Sequence, residues 1–259
     1  MDLNLGKRFA VVTGASRGLG KAITEALLAE GVRVLGVARS FDGQDWELAR
    51  AKYGESFFYF ETDLSQHKGI SKVLKFLENA GLEPDILVNN VGGNLDMTEA
   101  LSSPEDFWQV MKFNLESAVM LNSKLIPGMV SRGWGRICHV SSISSLENQG
   151  VPSYSAAKAA LNAYIRGVSR SVAPDNVVLT GVLPGAVFTE GGYWDEQSRK
   201  RPDHVRKYLE ERMAIRRFGT PAEIANIVTF LVSDLASFMT GSLVLADGGQ
   251  GKVFFEGGS

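Results

Sequence analysis

Tyr154 and Lys158 stand four residues apart in the segment YSAAK. On a helix that spacing puts a phenol and an ammonium on one face. An ammonium beside a phenol favours the phenolate and so lowers the phenol's pKa. A tyrosine tuned in this way can pass a proton to or from a substrate oxygen near neutral pH. Two serines, Ser141 and Ser142, lie thirteen and twelve residues upstream. At a strand end, a serine hydroxyl would hold the same oxygen. A Tyr-x-x-x-Lys pair alone is more often a surface couple. Its weight here comes from the serine and from a second motif far upstream.

That motif is Thr13-Gly14-Ala15-Ser16-Arg17-Gly18-Leu19-Gly20. It follows an apolar run and opens a helical pattern. Glycines in that context let the backbone turn tightly and approach a pyrophosphate at a helix N-terminus. The spacing is G-x-x-x-G-x-G rather than G-x-G-x-x-G. Enzymes that use NAD commonly carry an acid at the end of the second strand. That end reads Gly36-Val37-Ala38-Arg39-Ser40, with no acid and with Arg39 available. Arg17 adds a second cation, and two guanidiniums can clamp a 2′-phosphate. The pair predicts NADP(H). Asp63, with Leu64 after it, ends the third strand. It could accept from the adenine amino group or cap the helix that follows.

These residues must be positioned by short strands alternating with helices. The strand patterns are 9–12, 32–37, 57–60, 85–88, 136–140, 177–183 and 243–246. Helical patterns cover 21–30, 70–77, 113–130, 154–172 and 221–232, the last with Pro221 in its first turn. Seven such strands predict one α/β domain over 1–259, a parallel sheet covered on both faces. Ligands bind such sheets at the C-terminal strand ends, near a reversal in winding. The highly charged stretch 189–217 breaks the rhythm just after a strand end. It reads as a substrate lid rather than a merely solvated face. Tyr193 and Trp194 at its head could touch an apolar substrate or anchor the lid.

The bulk composition excludes several functions. A net charge of −2 leaves no basic field for nucleic acid. The single cysteine, Cys138, rules out an intrachain disulfide and a cysteine zinc cluster. The three histidines, His67, His139 and His204, show no metal spacing. His139 and Cys138 sit in one buried strand and read as core residues. The polar start and the lack of a long apolar run predict a cytoplasmic protein without membrane contact. Glycine, at 28 of 259 residues, makes up about 11% against an average near 7%, in keeping with many tight turns. The tail 250–259 contains Val253-Phe254-Phe255, which would pack on a neighbouring subunit better than remain in water.

The chain resembles the short-chain dehydrogenase/reductase family, including its 3-oxoacyl-[acyl-carrier-protein] reductase members, over Lys7 to about Gly249. The matching segments are TGASRGLG (13–20), NNVG (89–92), Asn114, Ser142, YSAAK (154–158), Pro184-Gly185 with Thr189, and ADGG (246–249). The resemblance implies a doubly wound, Rossmann-type sheet of order 3-2-1-4-5-6-7, and a homotetramer or homodimer. It implies a tetrad of Asn114, Ser142, Tyr154 and Lys158. Tyr154 would be the general acid in reduction, and Ser142 would orient the carbonyl. Lys158 would bind the nicotinamide ribose and tune Tyr154, and Asn114 would hold a water linking Lys158 to solvent. Ser16, Leu19 and Leu64 would join the glycines and arginines around the cofactor. Asn90 and Gly92 would flank its ribose, and Pro184, Gly185, Val187 and Thr189 would line its nicotinamide and phosphates.

The spacing from Ser142 to Tyr154 is one shorter than the family's usual thirteen, which leaves Ser141 as a second candidate. Val91 replaces the usual Ala, and Thr180 stands where many relatives have Asn. The expected activity is reduction of a ketone or 3-oxoacyl group. The alternatives are oxidation of a secondary alcohol, sugar or steroid, and a non-catalytic NADP(H) sensor.

Overall fold

The structure, a computed structural model, describes residues 2–147 and 150–252, the side chains of 44 and 45 excepted. Seven parallel strands form one sheet in the order β3-β2-β1-β4-β5-β6-β7. They are β1 (Phe9–Thr13), β2 (Arg33–Ala38), β3 (Phe57–Glu61), β4 (Ile86–Asn89), β5 (Gly135–Val140), β6 (Val177–Pro184) and β7 (Leu243–Ala246). The winding reverses between β1 and β4, so a crevice opens at their C-terminal ends.

All five residues of β1 are buried because both faces of the sheet are covered. Ala10 and Val12 pack into one core with Ile23 and Leu27 of α1 (Gly18–Ala29) and Ile224 and Val228 of α9 (Pro221–Leu231). Phe9 and Val11 face the other core. There they meet Val73 of α3 (His67–Asn79), Leu121 of α5 (Ser117–Ser131) and Leu161 of α6 (Pro152–Val172). Pro221 starts α9 as its sequence predicts, and Thr220 and Glu223 close a capping box around it.

Four helices were not delimited by sequence pattern: α2 (Gln44–Tyr53), α4 (Pro104–Met111), α7 (Tyr193–Lys200) and α8 (Pro202–Arg212). α2 is polar, and Trp46 and Ala49 are its buried anchors. α4 carried a readable start signal. Ser103 Oγ accepts from Asp106 N at 3.1 Å, and Pro104 follows the cap. The predicted helix 113–130 begins instead as a π-helical turn, Lys112–Glu116. Such turns cluster at functional positions, and this one holds Asn114.

Candidate active site

β5 ends at Val140, and Ser141 and Ser142 leave it in different directions. Ser141 is buried and its hydroxyl donates to Asn162 Oδ1 at 2.7 Å. Ser142 starts the short 3₁₀ turn Ile143–Ser145, where its Oγ accepts from Ser144 N at 3.1 Å. The Ser142 hydroxyl is near enough to the Tyr154 phenol to oppose the rise of its pKa. The one-residue shortening therefore leaves Ser142, not Ser141, facing the tyrosine. Asn162 donates to Ser145 Oγ at 2.7 Å, and Ser145 Oγ donates to Ser142 O at 2.5 Å. This chain of side chains, absent from the sequence reading, pins the serine loop to α6.

Pro152 starts α6, and Tyr154 and Lys158 follow on one face. Lys158 is buried, and its Nζ donates to Val140 O at 2.9 Å. The same Nζ lies 5.6 Å from the centroid of the Tyr154 ring. Burial lowers the Lys158 pKa from 10.5 to about 8. The tyrosine differs from expectation. Burial raises its pKa, with the nearby Ser142 opposing, so the expected lowering by Lys158 does not dominate. The reason is desolvation, which disfavours phenolate and ammonium alike.

Asn114 is buried and fully engaged on its donor side. Its Nδ2 donates to Gly93 O at 2.7 Å and to Val110 O at 2.9 Å, and its Oδ1 accepts from Gly93 N at 3.0 Å. It thus straps the loop after β4 to the π turn and gives the carbonyl four residues back a side-chain donor. A β-carbon on Gly92 would stand 2.6 Å from Asn114 Oδ1 and 2.8 Å from Lys158 Nζ. Glycine leaves the space in which both groups meet. Asn114, Ser142, Tyr154 and Lys158 are therefore neighbours at the C-terminal ends of β4 and β5.

The glycine turn occupies the end of β1. Gly14 and Gly18 adopt positive φ of 64° and 55°. A β-carbon on Gly20 would collide with Gly14 O at 2.0 Å, so only glycine closes this turn. Arg17 is the N-cap of α1, which has no capping side chain and no acid in its first turn. That end offers backbone N–H groups and a positive dipole, so it fits the pyrophosphate of a dinucleotide. Thr189 lies over Gly18, its methyl 3.4 Å from the position of an added β-carbon. Val187 pairs with Gly219 in an isolated bridge that steadies this loop.

Arg17 and Arg39 are exposed at the same end of the sheet, where β1 and β2 run side by side. Asp63 is exposed too. Its Oδ1 accepts from Ser65 N at 2.9 Å, but α3 starts later, at His67 after Gln66. The helix-cap reading of Asp63 is therefore corrected: it makes a turn two residues earlier. Leu64 is buried in the core beneath, and Leu19 packs against the opposite core.

Contacts within the protein also hold Asn90, Gly185 and the backbone of Ser16 in place. Asn90 Nδ2 donates to Thr13 O at 2.9 Å and to Gly14 O at 3.2 Å. Thr13 Oγ1 in turn accepts from Asn90 N and Val91 N and donates to Val88 O. Thr13 and Asn90 thus tie the glycine turn to β4. The bare face of Gly185 meets Gln250 Oε1 and Asp247, at 2.7 Å and 2.8 Å from an added β-carbon. Ser16 offers its carbonyl to Trp46 Nε1 at 3.1 Å. Trp46 had no periodic signal in its polar surroundings, yet it stacks on Phe57 and meets Phe41 edge-on.

Over 189–217, α7 and α8 form a helical hairpin. Trp194 lies 4.3 Å from Tyr208 and 4.8 Å from Phe218, centroid to centroid, so it anchors the segment from within. Elsewhere, His139 is fully buried, held by Asn122 at 3.0 Å, and burial lowers its pKa to about 4. Burial pushes the Cys138 thiol up to about 12. Thr180 is buried beside it and donates to Ile137 O at 3.4 Å. Among the described residues no group of three or more His, Cys, Asp or Glu side chains could hold a metal. The segment Val253-Phe254-Phe255 lies outside the described residues.

A family model described as enoyl-(acyl carrier protein) reductase matches residues 14–250. A 3-oxoacyl-[acyl-carrier-protein] reductase of Aquifex aeolicus is 32% identical over 96% of this chain and 100% of its own. An acetoacetyl-CoA reductase of Rhizobium meliloti is 37% identical over 94% of this chain and 98% of its own. L-sorbose reductase from Gluconobacter frateurii, solved with NADPH and L-sorbose, superposes with a TM-score of 0.88 at 30% identity. It covers 96% of this chain and 98% of its own.

Proposed function

The chain belongs to the short-chain dehydrogenase/reductase family, and from that premise we propose that it is an NADP(H)-dependent reductase of ketones or 3-oxoacyl groups. The observation that carries the reading is the placement of Tyr154 beside the buried Lys158, whose Nζ lies 5.6 Å from the centroid of the phenol ring, with Ser142 at the end of the neighbouring strand. The acyl-carrier-protein and CoA reductases above support the substrate class, and the NADPH-bound sorbose reductase supports the cofactor. When bound, the nicotinamide supplies the hydride.

The residues of this chain do the rest. A carbonyl oxygen seated between Ser142 and Tyr154 accepts from both hydroxyls. Tyr154 gives up its proton as the carbon accepts hydride, and a secondary alcohol results. The raised pKa of Tyr154 suits this direction, since it keeps the acid protonated beforehand. Lys158 remains largely charged below pH 8 and stabilises the phenolate left behind. It would also hold the nicotinamide ribose across the gap at Gly92. Asn114 orders that gap. Gly14, Ser16, Gly18 and Gly20 would cradle the pyrophosphate, with Thr189 over it. Arg17 and Arg39 would clamp the 2′-phosphate.

The reading includes 189–217 as a substrate lid, supported by its place just after β6 and its aromatic anchor at Trp194. It includes assembly as a homotetramer or homodimer. Support comes from the exposed Leu101, Trp108 and Phe238, at 97%, 60% and 101%.

NADPH and NADH consumption, measured in parallel with 3-oxoacyl thioesters, diketones, keto-sugars and steroids, tests the assignment. The expected result is turnover of one class with NADPH preferred. Arg17→Ala and Arg39→Ala should each raise the KM for NADPH about tenfold and leave that for NADH nearly unchanged. A wild-type preference for NADH would overturn the roles of both arginines.

A further inference from the structure

Gln250 follows the ADGG turn and is buried at 4% exposure, although it lies beyond the last strand. Its Oε1 accepts from Ala186 N at 2.8 Å. Its Nε2 donates to the Tyr208 hydroxyl at 2.6 Å. One side chain therefore joins α8 to the loop that follows β6. Asp247 fixes the approach by accepting from Gly249 N at 3.1 Å and Gly251 N at 2.8 Å. Gly185 has no room for a β-carbon because Gln250 and Asp247 fill the space.

One end of the link leads to the glycine turn and the other into the α7–α8 segment. Three residues after Ala186, Thr189 lies against Gly18 of the glycine turn. At the other end, the Tyr208 ring packs on Trp194, which joins α7 to α8. The tail touches the serine loop as well, since Glu147 accepts from Lys252 N. A buried amide satisfied on both sides is costly to break and has two discrete outcomes, linked or unlinked.

We propose that Gln250 is a positioning residue that couples occupancy of the cofactor cleft to closure of the α7–α8 segment. It rests on the assignment of that cleft to NADP(H). A dinucleotide seated on Gly18 and Thr189 fixes the loop at Ala186. Through Gln250 it then fixes Tyr208 and the packing of Trp194. Gln250 does not touch the reacting atoms in this scheme.

The test is hydrogen–deuterium exchange on the full chain, with and without NADPH, in wild type, Gln250→Met and Tyr208→Phe. In wild type NADPH should slow exchange at both Gly14–Gly20 and Pro202–Arg212. In each variant the protection at the glycine turn should persist and that in α8 should be lost. In turnover each variant should lower kcat roughly tenfold, with the KM for NADPH nearly unchanged. The double variant should be about as slow as either single one, since both cut one link. Tyr208→Phe removes one hydroxyl and retains the ring on Trp194, so it carries the test even where Gln250→Met lowers stability. Protection of α8 retained in both variants, or effects that multiply, would overturn the coupling and leave the cofactor assignment standing. Protection of neither segment in wild type would overturn both.

Discussion

Lys158 reaches the carbonyl of Val140 from inside the domain, with little water around its ammonium. The drop of its pKa from 10.5 to about 8 corresponds to about 3 kcal/mol of folding free energy at neutral pH. Replacing the group with an apolar one removes that cost and leaves one carbonyl unpaired, which costs about 1 kcal/mol. Lys158→Met should therefore gain about 2 kcal/mol in urea unfolding at pH 7 while losing turnover. The sign with pH follows from the lowered value. Between about pH 8 and 10.5 the unfolded chain holds the proton and the folded chain does not. Wild-type stability then rises with pH, and the advantage of the variant should shrink across that window. A variant less stable than wild type at pH 7 would contradict the burial argument.

At the scale of elements, α2 braces the glycine turn from outside. Trp46 holds the carbonyl of Ser16 while its ring fills a cluster with Phe41 and Phe57. Trp46→Phe keeps the ring and deletes the bond. Since one hydrogen bond is worth about 1 kcal/mol net, the KM for NADPH should rise about fivefold with kcat unchanged. A loss of kcat at constant KM would place Trp46 in the chemistry instead. This contact was not legible in the sequence. The strands were, because both faces of the sheet are covered and β-branched runs such as 9–12 announce burial. The glycine turn was also legible, since glycine is forced wherever backbone meets backbone, as at Gly20. The polar stretch 44–53 gave no period, because among its described side chains only Trp46 and Ala49 are buried. Within the site, Tyr154 and Lys158 were readable from their spacing taken together with the upstream serine and glycine motif. Ser142 was preferred over Ser141 from the strand pattern, but the contact that sets them apart, Ser141 donating to Asn162, was not visible there. Gln250 and Asn162 escaped too, since their partners lie 64 and 21 residues away.

The molecule as a whole carries a buried polar chain through the sheet. Asn89 donates to Asn122 Oδ1 at 3.1 Å, and Asn122 meets His139 Nε2, so β4, α5 and β5 are linked in one network. Burial holds the His139 pKa at about 4, against 6.5 in the unfolded chain. Below pH 6.5 the unfolded chain takes up a proton that the folded chain refuses, so this contribution is lost as pH falls toward 4. The cost reaches about 3 kcal/mol. Urea titrations of wild type and His139→Gln should diverge in slope across that window, the variant being flatter. Equal slopes would assign acid sensitivity to other groups. Turnover requires every layer at once: the sheet, the glycine turn, the serine loop and the helix that presents Tyr154. The most direct test of that assembly is NADPH-dependent reduction by Tyr154→Phe, measured beside direct binding of NADPH. The account predicts that kcat falls by about a thousandfold or more, within the range for loss of a general acid, while NADPH binds as in wild type. Reduction at the wild-type rate by the phenylalanine variant would contradict it.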